Sequence, residues 1–156
     1  MGVAGSGKTA VGRALAAELG WRFEDADDYH SQASVAKMQR GLPLDDADRT
    51  PWLNALHAVI ARAVDRREPL VLACSALKQR YRDVLSGNLR TIRFVHLDAD
   101  EATLRRRLTR RSGHFFPPSL LASQLAELEI PADALTVDAS RPPGEIVSAI
   151  RRAFGL

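Results

Sequence analysis

The sequence predicts an α/β fold with one parallel sheet and helices on both faces. Three observations point to it. Short apolar, β-branched runs alternate with amphipathic helical patterns. Polar residues gather just after those runs, where ligands sit in sheets of this kind. A glycine-rich run opens the chain and leads at once into a helix. At 156 residues and 46% hydrophobic content, the chain suffices for one domain with a sizeable core.

The opening run Gly2-Val3-Ala4-Gly5-Ser6-Gly7-Lys8-Thr9 fits G-x-x-x-x-G-K-[ST] at every fixed position. Its glycines let backbone N–H groups turn inward around an anion, Lys8 can reach the outer phosphates, and the Thr9 hydroxyl is placed for magnesium. A helix is expected over about 7–19, with Val11, Leu15 and Leu19 on one face and its positive end toward the phosphates. This motif predicts a P-loop NTPase that binds a nucleoside triphosphate, a flexible Gly/Ser loop being the plainer alternative that the following helix disfavours. Such a loop normally follows a buried parallel strand. Only Met1 precedes Gly2, so the first strand is missing from this chain. We expect Met1 to be the last residue of an internal strand, behind a start set too late.

The remaining strands are read at Arg22–Glu24, Pro69–Cys74, Thr91–Leu97 and Leu135–Val137. Helical patterns fall at about 31–39, 50–67, 78–86, 100–111, 118–128 and 143–154. Asp25 to His30, Ser75 to Lys78 and Asp98 then share one edge of the sheet, the expected site.

Composition narrows the classes. Net charge is +3, with 22 basic residues interleaved among 19 acidic ones. The basic cluster Arg105, Arg106, Arg107, Arg110 and Arg111 has no interleaved aromatics, which disfavours nucleic acid as a partner. One cysteine, Cys74, excludes an internal disulfide and suits a reducing cytosol. No apolar run approaches the roughly 20 residues needed to span a bilayer. A cytoplasmic protein without membrane partners is expected. His57 and His96 are given no metal, because neither has a second ligand at suitable spacing.

Asp25-Ala26-Asp27-Asp28-Tyr29-His30 follows the second strand position. Carboxylates at i and i+2 on a strand end suit one to magnesium and one to a substrate hydroxyl, and a carboxylate beside the acceptor oxygen can orient it and take its proton. An acidic turn capping the next helix is the plainer alternative. Further on, Asp48 is expected to cap a helix with Pro51 in its first turn. Arg49 there opposes the helix dipole, which a substrate carboxylate facing its fork would explain. Ser75 and Lys78 can contact a polyhydroxyl substrate, although Ser75 could also be an N-cap. Cys74 reads as a buried apolar residue rather than a nucleophile.

Phe94–Asp98 has the form of an apolar strand ending in a metal-side Asp, or equally of an ordinary core strand ending in a helix cap. A basic helix then leads into Ser112-Gly113-His114-Phe115-Phe116-Pro117-Pro118, the makings of a lid over about 111–118 within a single domain, 1–156. Arg111 is the candidate for stabilising transferred charge.

These blocks resemble the gluconokinase family of small, shikimate-kinase-like P-loop kinases. The resemblance runs nearly end to end. It rests on Gly2–Thr9; Asp25-x-Asp27-x-x-His30; Lys37-Met38 with Gly41-x-Pro43-Leu44-x-Asp46-x-Asp48-Arg49-x-Pro51-Trp52-Leu53; Cys74-Ser75-Ala76-Leu77-Lys78-x-x-Tyr81-Arg82-Asp83; Arg111-x-Gly113-His114-Phe115-Phe116; and Ser123-Gln124 with Leu128-Glu129. Ala26 stands where the family pattern has Gly, and Ser34 where Asn is common.

The resemblance implies ATP-dependent phosphorylation of D-gluconate at its 6-hydroxyl, by a cytosolic homodimer using ATP and Mg2+. It implies that Lys8 and the loop amides hold the triphosphate, with magnesium on Thr9 and Asp25 behind it. It implies that Asp27 deprotonates the hydroxyl, that His30, Arg49, Ser75 and Lys78 hold the acid, and that Arg111 and His114 arrive with the lid. Another kinase of the same fold, such as a shikimate kinase, and a nucleotide-binding module without a small substrate are the alternatives.

Overall fold

The apolar runs form parallel strands, as their lack of polar alternation requires. The computed structural model describes residues 1–110 and 118–156. Strand β1 (Arg22–Asp25) pairs with β2 (Leu70–Ala73), with Phe23 opposite Val71. Strand β3 (Val95–Asp98) pairs with β4 (Leu135–Asp138), with Leu97 opposite Val137. Both pairs are parallel. Met1 and Gly2 lie between them: the Met1 amine donates to Val95 O, Leu97 N donates to Met1 O at 2.9 Å, and Gly2 N donates to Ser75 O at 3.2 Å. The phosphate loop therefore leaves from between β2 and β3, in line with the expected internal position of Met1.

Helices cover both faces. They are α1 (Lys8–Leu19), α2 (Gln32–Gln39), α3 (Asp46–Asp65), α4 (Gln79–Ser86), α5 (Glu101–Arg110), α6 (Leu121–Glu127) and α7 (Pro143–Phe154), with short 3₁₀ turns at Ala26–Tyr29 and Pro118–Leu120. On one face Val11 and Leu15 of α1 pack with Ile146, Val147 and Ile150 of α7 over Leu97 and Val137. On the other, Trp52, Leu53 and Leu56 of α3 meet Tyr81 and Leu85 of α4 and Cys74. Leu56, Leu104, Leu121 and Val147 are wholly buried, and each such side chain contributes about 1.5–3 kcal/mol of transfer free energy. Gly12 lets α1 lie close on the first strand pair, because a Cβ there would stand 2.7 Å from Phe23 Cε2.

Two boundaries differ from expectation. Strand β3 begins at Val95 rather than Thr91, because the β4 ladder reaches back no further than Leu135, whose N–H binds Phe94 O at 3.1 Å. Helix α3 begins at Asp46 rather than Thr50, and Asp45, not Asp48, is its N-cap. Asp45 Oδ1 accepts from Asp48 N at 3.0 Å while Asp48 Oδ2 accepts from Asp45 N at 2.9 Å, so each carboxylate satisfies an orphan donor of the other. Pro51 consequently lies inside the helix rather than in its first turn. Among the described residues, no helix is long and apolar enough to cross a membrane.

Candidate active site

The loop from Gly2 to Thr9 wraps toward the N-terminus of α1. Gly5 and Gly7 take φ of +83° and +94°, a region side chains resist, and a Cβ on Gly5 would stand 3.0 Å from Leu104 O. Both positions thus need glycine for the loop to turn and to nest against α5. Lys8 Nζ donates to Val3 O at 3.1 Å, which folds its side chain back over the loop. Arg107 donates through Nη2 to Ala139 O at 2.8 Å and through Nη1 to Gly5 O at 3.4 Å, tying the loop to the turn after β4.

Asp25 ends β1 beside this loop. Its Oδ2 accepts from Thr9 Oγ1 at 2.8 Å, and its Oδ1 accepts from Asp27 N at 3.2 Å. A hydroxyl and a carboxylate in contact at the mouth of a phosphate loop are the oxygen donors magnesium takes. The bond to Asp27 N also makes Asp25 the cap of the 3₁₀ turn that carries Asp27. The capping alternative thus applies to Asp25, whose other oxygen keeps its contact with Thr9 Oγ1.

Beyond Asp27 the wall is aromatic. His30 stacks on Trp52, and Trp52 Nε1 donates to Ala26 O at 2.7 Å. Burial pulls the His30 pKa below its usual value; Asp27 raises it and Arg49 lowers it further. Arg49 follows the capping box of α3, and its charge is met by side chains rather than by the helix dipole. Its Nη1 donates to Tyr81 Oη at 2.8 Å and to Glu127 Oε1 at 3.2 Å, and its Nη2 lies 2.8 Å from Glu127 Oε2. Burial alone would lower the Arg49 pKa, but Glu127 and Tyr81 outweigh it and the net direction is up. Tyr81 in turn donates to Asp46 Oδ1 at 2.7 Å.

One crevice of about 590 Å³ joins these parts. The phosphate loop from Ala4 to Thr9 forms its floor, with Asp27 on the wall. Ala139, Arg141, Pro143 and Ile146 line the end beyond Arg107. His30, Arg49, Trp52, Ser75, Tyr81, Met38 and Leu44 line the other end. Lys8, Asp27, His30, Arg49 and Ser75 are thus gathered as expected. Gly2 and Val3 lie behind the loop and shape it without lining the crevice, and Asp25 stands behind Thr9. Lys78 is not in the lining; its Nζ sits 3.1 Å from Glu127 Oε1, and it, not Ser75, is the N-cap residue of α4. Asp98 is exposed and does not line the crevice, although its carbonyl accepts from the N–H of Ala139, which does, at 2.6 Å. Arg111 and His114, with the lid expected at about 111–118, lie outside the described residues up to Pro118. Cys74 is buried, and burial pushes its thiol up to about 11, which suits the apolar reading.

Sequence reasoning missed several contributors. Arg82, 2% exposed, donates to Ala76 O at 2.9 Å and Leu77 O at 3.0 Å, holding the loop that presents Ser75, where Ala76 has a φ of +46°. Gln124 Oε1 accepts from Ala4 N at 2.6 Å, and Glu127 grips Arg49. Arg82 and Gln124 stand in the sequence blocks above without a role, and Glu127 in none; Arg82 finds its carbonyls five and six residues back, whereas Gln124 and Glu127 meet partners far along the chain.

Comparison with known proteins agrees with this geometry. A family model described as "AAA domain" matches residues 1–131. A gluconokinase of Gluconobacter oxydans is 46% identical over 157 aligned residues, covering 99% of this chain and 88% of that protein. A gluconokinase structure from Sinorhizobium meliloti superposes with a TM-score of 0.80 at 43% identity, covering 95% of this chain and 85% of that one. An unliganded sugar kinase from Janibacter does so with a TM-score of 0.90 at 41% identity, over 97% and 90%. Phosphate loop, paired aspartates and a crevice-lining arginine occur together in a chain this similar to those proteins along its length, and the chain belongs to the gluconokinase family of P-loop kinases.

Proposed function

We propose that this protein transfers the γ-phosphate of ATP to the 6-hydroxyl of D-gluconate, giving 6-phospho-D-gluconate and ADP. The observation that carries this reading is the single crevice whose lining holds Asp27 together with the phosphate loop and with Arg49, His30 and Trp52. The triphosphate lies on the loop amides and Lys8, with the nucleoside toward Ala139 and Arg141. The sugar acid lies with its carboxylate toward Arg49 and its far hydroxyl toward Asp27. The hydroxyl oxygen attacks the γ-phosphorus, its proton passes to Asp27, and the bond to the bridging β–γ oxygen breaks. Ser75 and His30 hold the intermediate hydroxyls.

The contact between Thr9 Oγ1 and Asp25 Oδ2 offers oxygen donors of the kind magnesium takes, so these two residues would hold that ion, which would supply positive charge to offset that of the triphosphate. From the sequence blocks alone, Arg111 is assigned to the transferred charge and His114 to the substrate, both within a lid over about 111–118. A homodimer in the cytoplasm completes the proposal, on the strength of the family resemblance.

A coupled assay of ADP release over a panel of sugar acids tests it. Gluconate-dependent turnover with the product phosphorylated at C6 is expected. Turnover indifferent to every acid would leave a nucleotide-binding module, and a preference for shikimate would move the chain to another kinase of this fold.

A further inference from the structure

A carboxylate that meets Arg49 needs a presented, correctly turned edge of the guanidinium. The end of the fork is already taken. Glu127 binds Nη1 at 3.2 Å and Nη2 at 2.8 Å, and Tyr81 Oη accepts the second Nη1 bond. Among the described residues, these bonds leave Nε–H and one Nη2–H of the five guanidinium donors without a partner. Arg49 lines the crevice, whereas Glu127 and Lys78 do not. Glu127 therefore grips Arg49 from outside.

Its own backbone is anchored on both sides. Three residues earlier, Gln124 accepts from Ala4 N of the phosphate loop at 2.6 Å. Two residues later, Glu129 accepts from Gln79 N at 2.5 Å and donates its N–H to Leu77 O at 2.9 Å. An exposed ion pair on a loose helix contributes little. This one is bidentate, partly buried and mounted on a fixed segment, which is the arrangement that gives a fork its direction. The side chain of Arg49 is 13% exposed and that of Glu127 25%.

We propose that Glu127 is a positioning residue, turning the Nε edge of Arg49 toward the substrate carboxylate, and that Lys78 balances the charge of Glu127 without touching substrate. The inference rests on the sugar-acid reading given above.

The test is steady-state kinetics on the full chain with Glu127→Gln, Arg49→Ala, the double variant and Lys78→Ala. Glu127→Gln should raise KM for gluconate about tenfold while kcat and KM for ATP stay within about twofold, a split that general loss of structure does not produce. In the Arg49→Ala background the same change should add nothing, because its effect passes through Arg49. Glu127→Asp, which keeps the charge and shortens the reach, should fall between Gln and wild type. An unchanged or lowered KM in Glu127→Gln would overturn the proposal, the lowered value marking Glu127 as a competitor of the substrate. So would an equal increment in the Arg49→Ala background. Lys78→Ala should leave KM within about threefold; a rise as large as that of Arg49→Ala would place Lys78 on the substrate. Absence of gluconate turnover by the wild type counts against the sugar-acid assignment instead, and the variant series is then read with whichever acid the wild type phosphorylates.

Discussion

The His30 imidazole lies flat on the Trp52 indole, with ring centres 4.5 Å apart and planes 9° apart. Trp52 is itself fixed through Nε1 to Ala26 O, so the pair forms a rigid wall rather than a hinge. Burial holds His30 below the ordinary imidazole value of 6.5, so it stays neutral at pH 7 and stacks without a charge to hydrate. A depressed folded pKa means that stability is full above the unfolded value and is lost as pH falls through 6.5 toward the folded value. The melting temperature should therefore drop between pH 7.5 and 5.5, and by less in His30→Phe, which keeps the stack and cannot protonate. His96 and the Met1 amine, both buried with lowered pKa, contribute to the drop that remains. Identical drops in the two proteins would contradict this role for His30.

Asp27→Asn should keep the bonding shape of the side chain and lose the base. Turnover is expected to fall by about 10²–10⁴-fold, with KM for ATP little changed. Nucleotide affinity measured by titration and turnover measured by ADP release separate the two effects. A variant with wild-type turnover would remove proton transfer from Asp27.

Asp25 contacts Thr9 Oγ1 at 2.8 Å, and in the proposed reading it supports the magnesium site. Asp25→Ala should shift magnesium activation to higher concentrations, by about 10–100-fold, the usual scale for loss of a residue that orients a metal ligand. A magnesium titration of turnover at saturating ATP reads this directly. An unshifted midpoint would leave Asp25 only as the cap of the Ala26–Tyr29 turn.

Gly12→Ala probes the close seat of α1. The added Cβ would stand 2.7 Å from Phe23 Cε2 and 3.6 Å from Val71 Cγ1, so the ring or the helix must shift. Overpacking of this kind costs about 1–3 kcal/mol, or roughly 2–12 °C in melting temperature at this chain length. Calorimetry checks it, and an unchanged or raised melting point would show that Phe23 relaxes freely.

Residues whose role is set by local chemistry were legible before the structure. Gly5, Gly7, Lys8 and Thr9 are dictated by a backbone that must turn around phosphate, and Asp27 by its place at a strand end. Arg49 was legible through a local conflict, a cation near a helix start. The conflict was resolved differently in detail, since Asp45 caps the helix and Glu127 neutralises the arginine. What stayed hidden depends on distant chain. Glu127 is 78 residues from Arg49, and Gln124 is 120 residues from Ala4. Arg82 is buried on carbonyl groups with no carboxylate to announce it. Lys78 looked like a substrate cation because sequence shows its charge but not the Glu127 that takes it.

The central claim is that nucleotide and sugar acid meet beside Asp27 in one crevice. A crystal structure with a non-hydrolysable ATP analogue, magnesium and gluconate tests it most directly. The account predicts the gluconate carboxylate on Arg49 and its 6-hydroxyl within hydrogen-bond reach of Asp27, about 3–3.5 Å from the γ-phosphorus. Gluconate bound elsewhere, or in the crevice with its carboxylate against Asp27 and its 6-hydroxyl remote from the triphosphate, would contradict it.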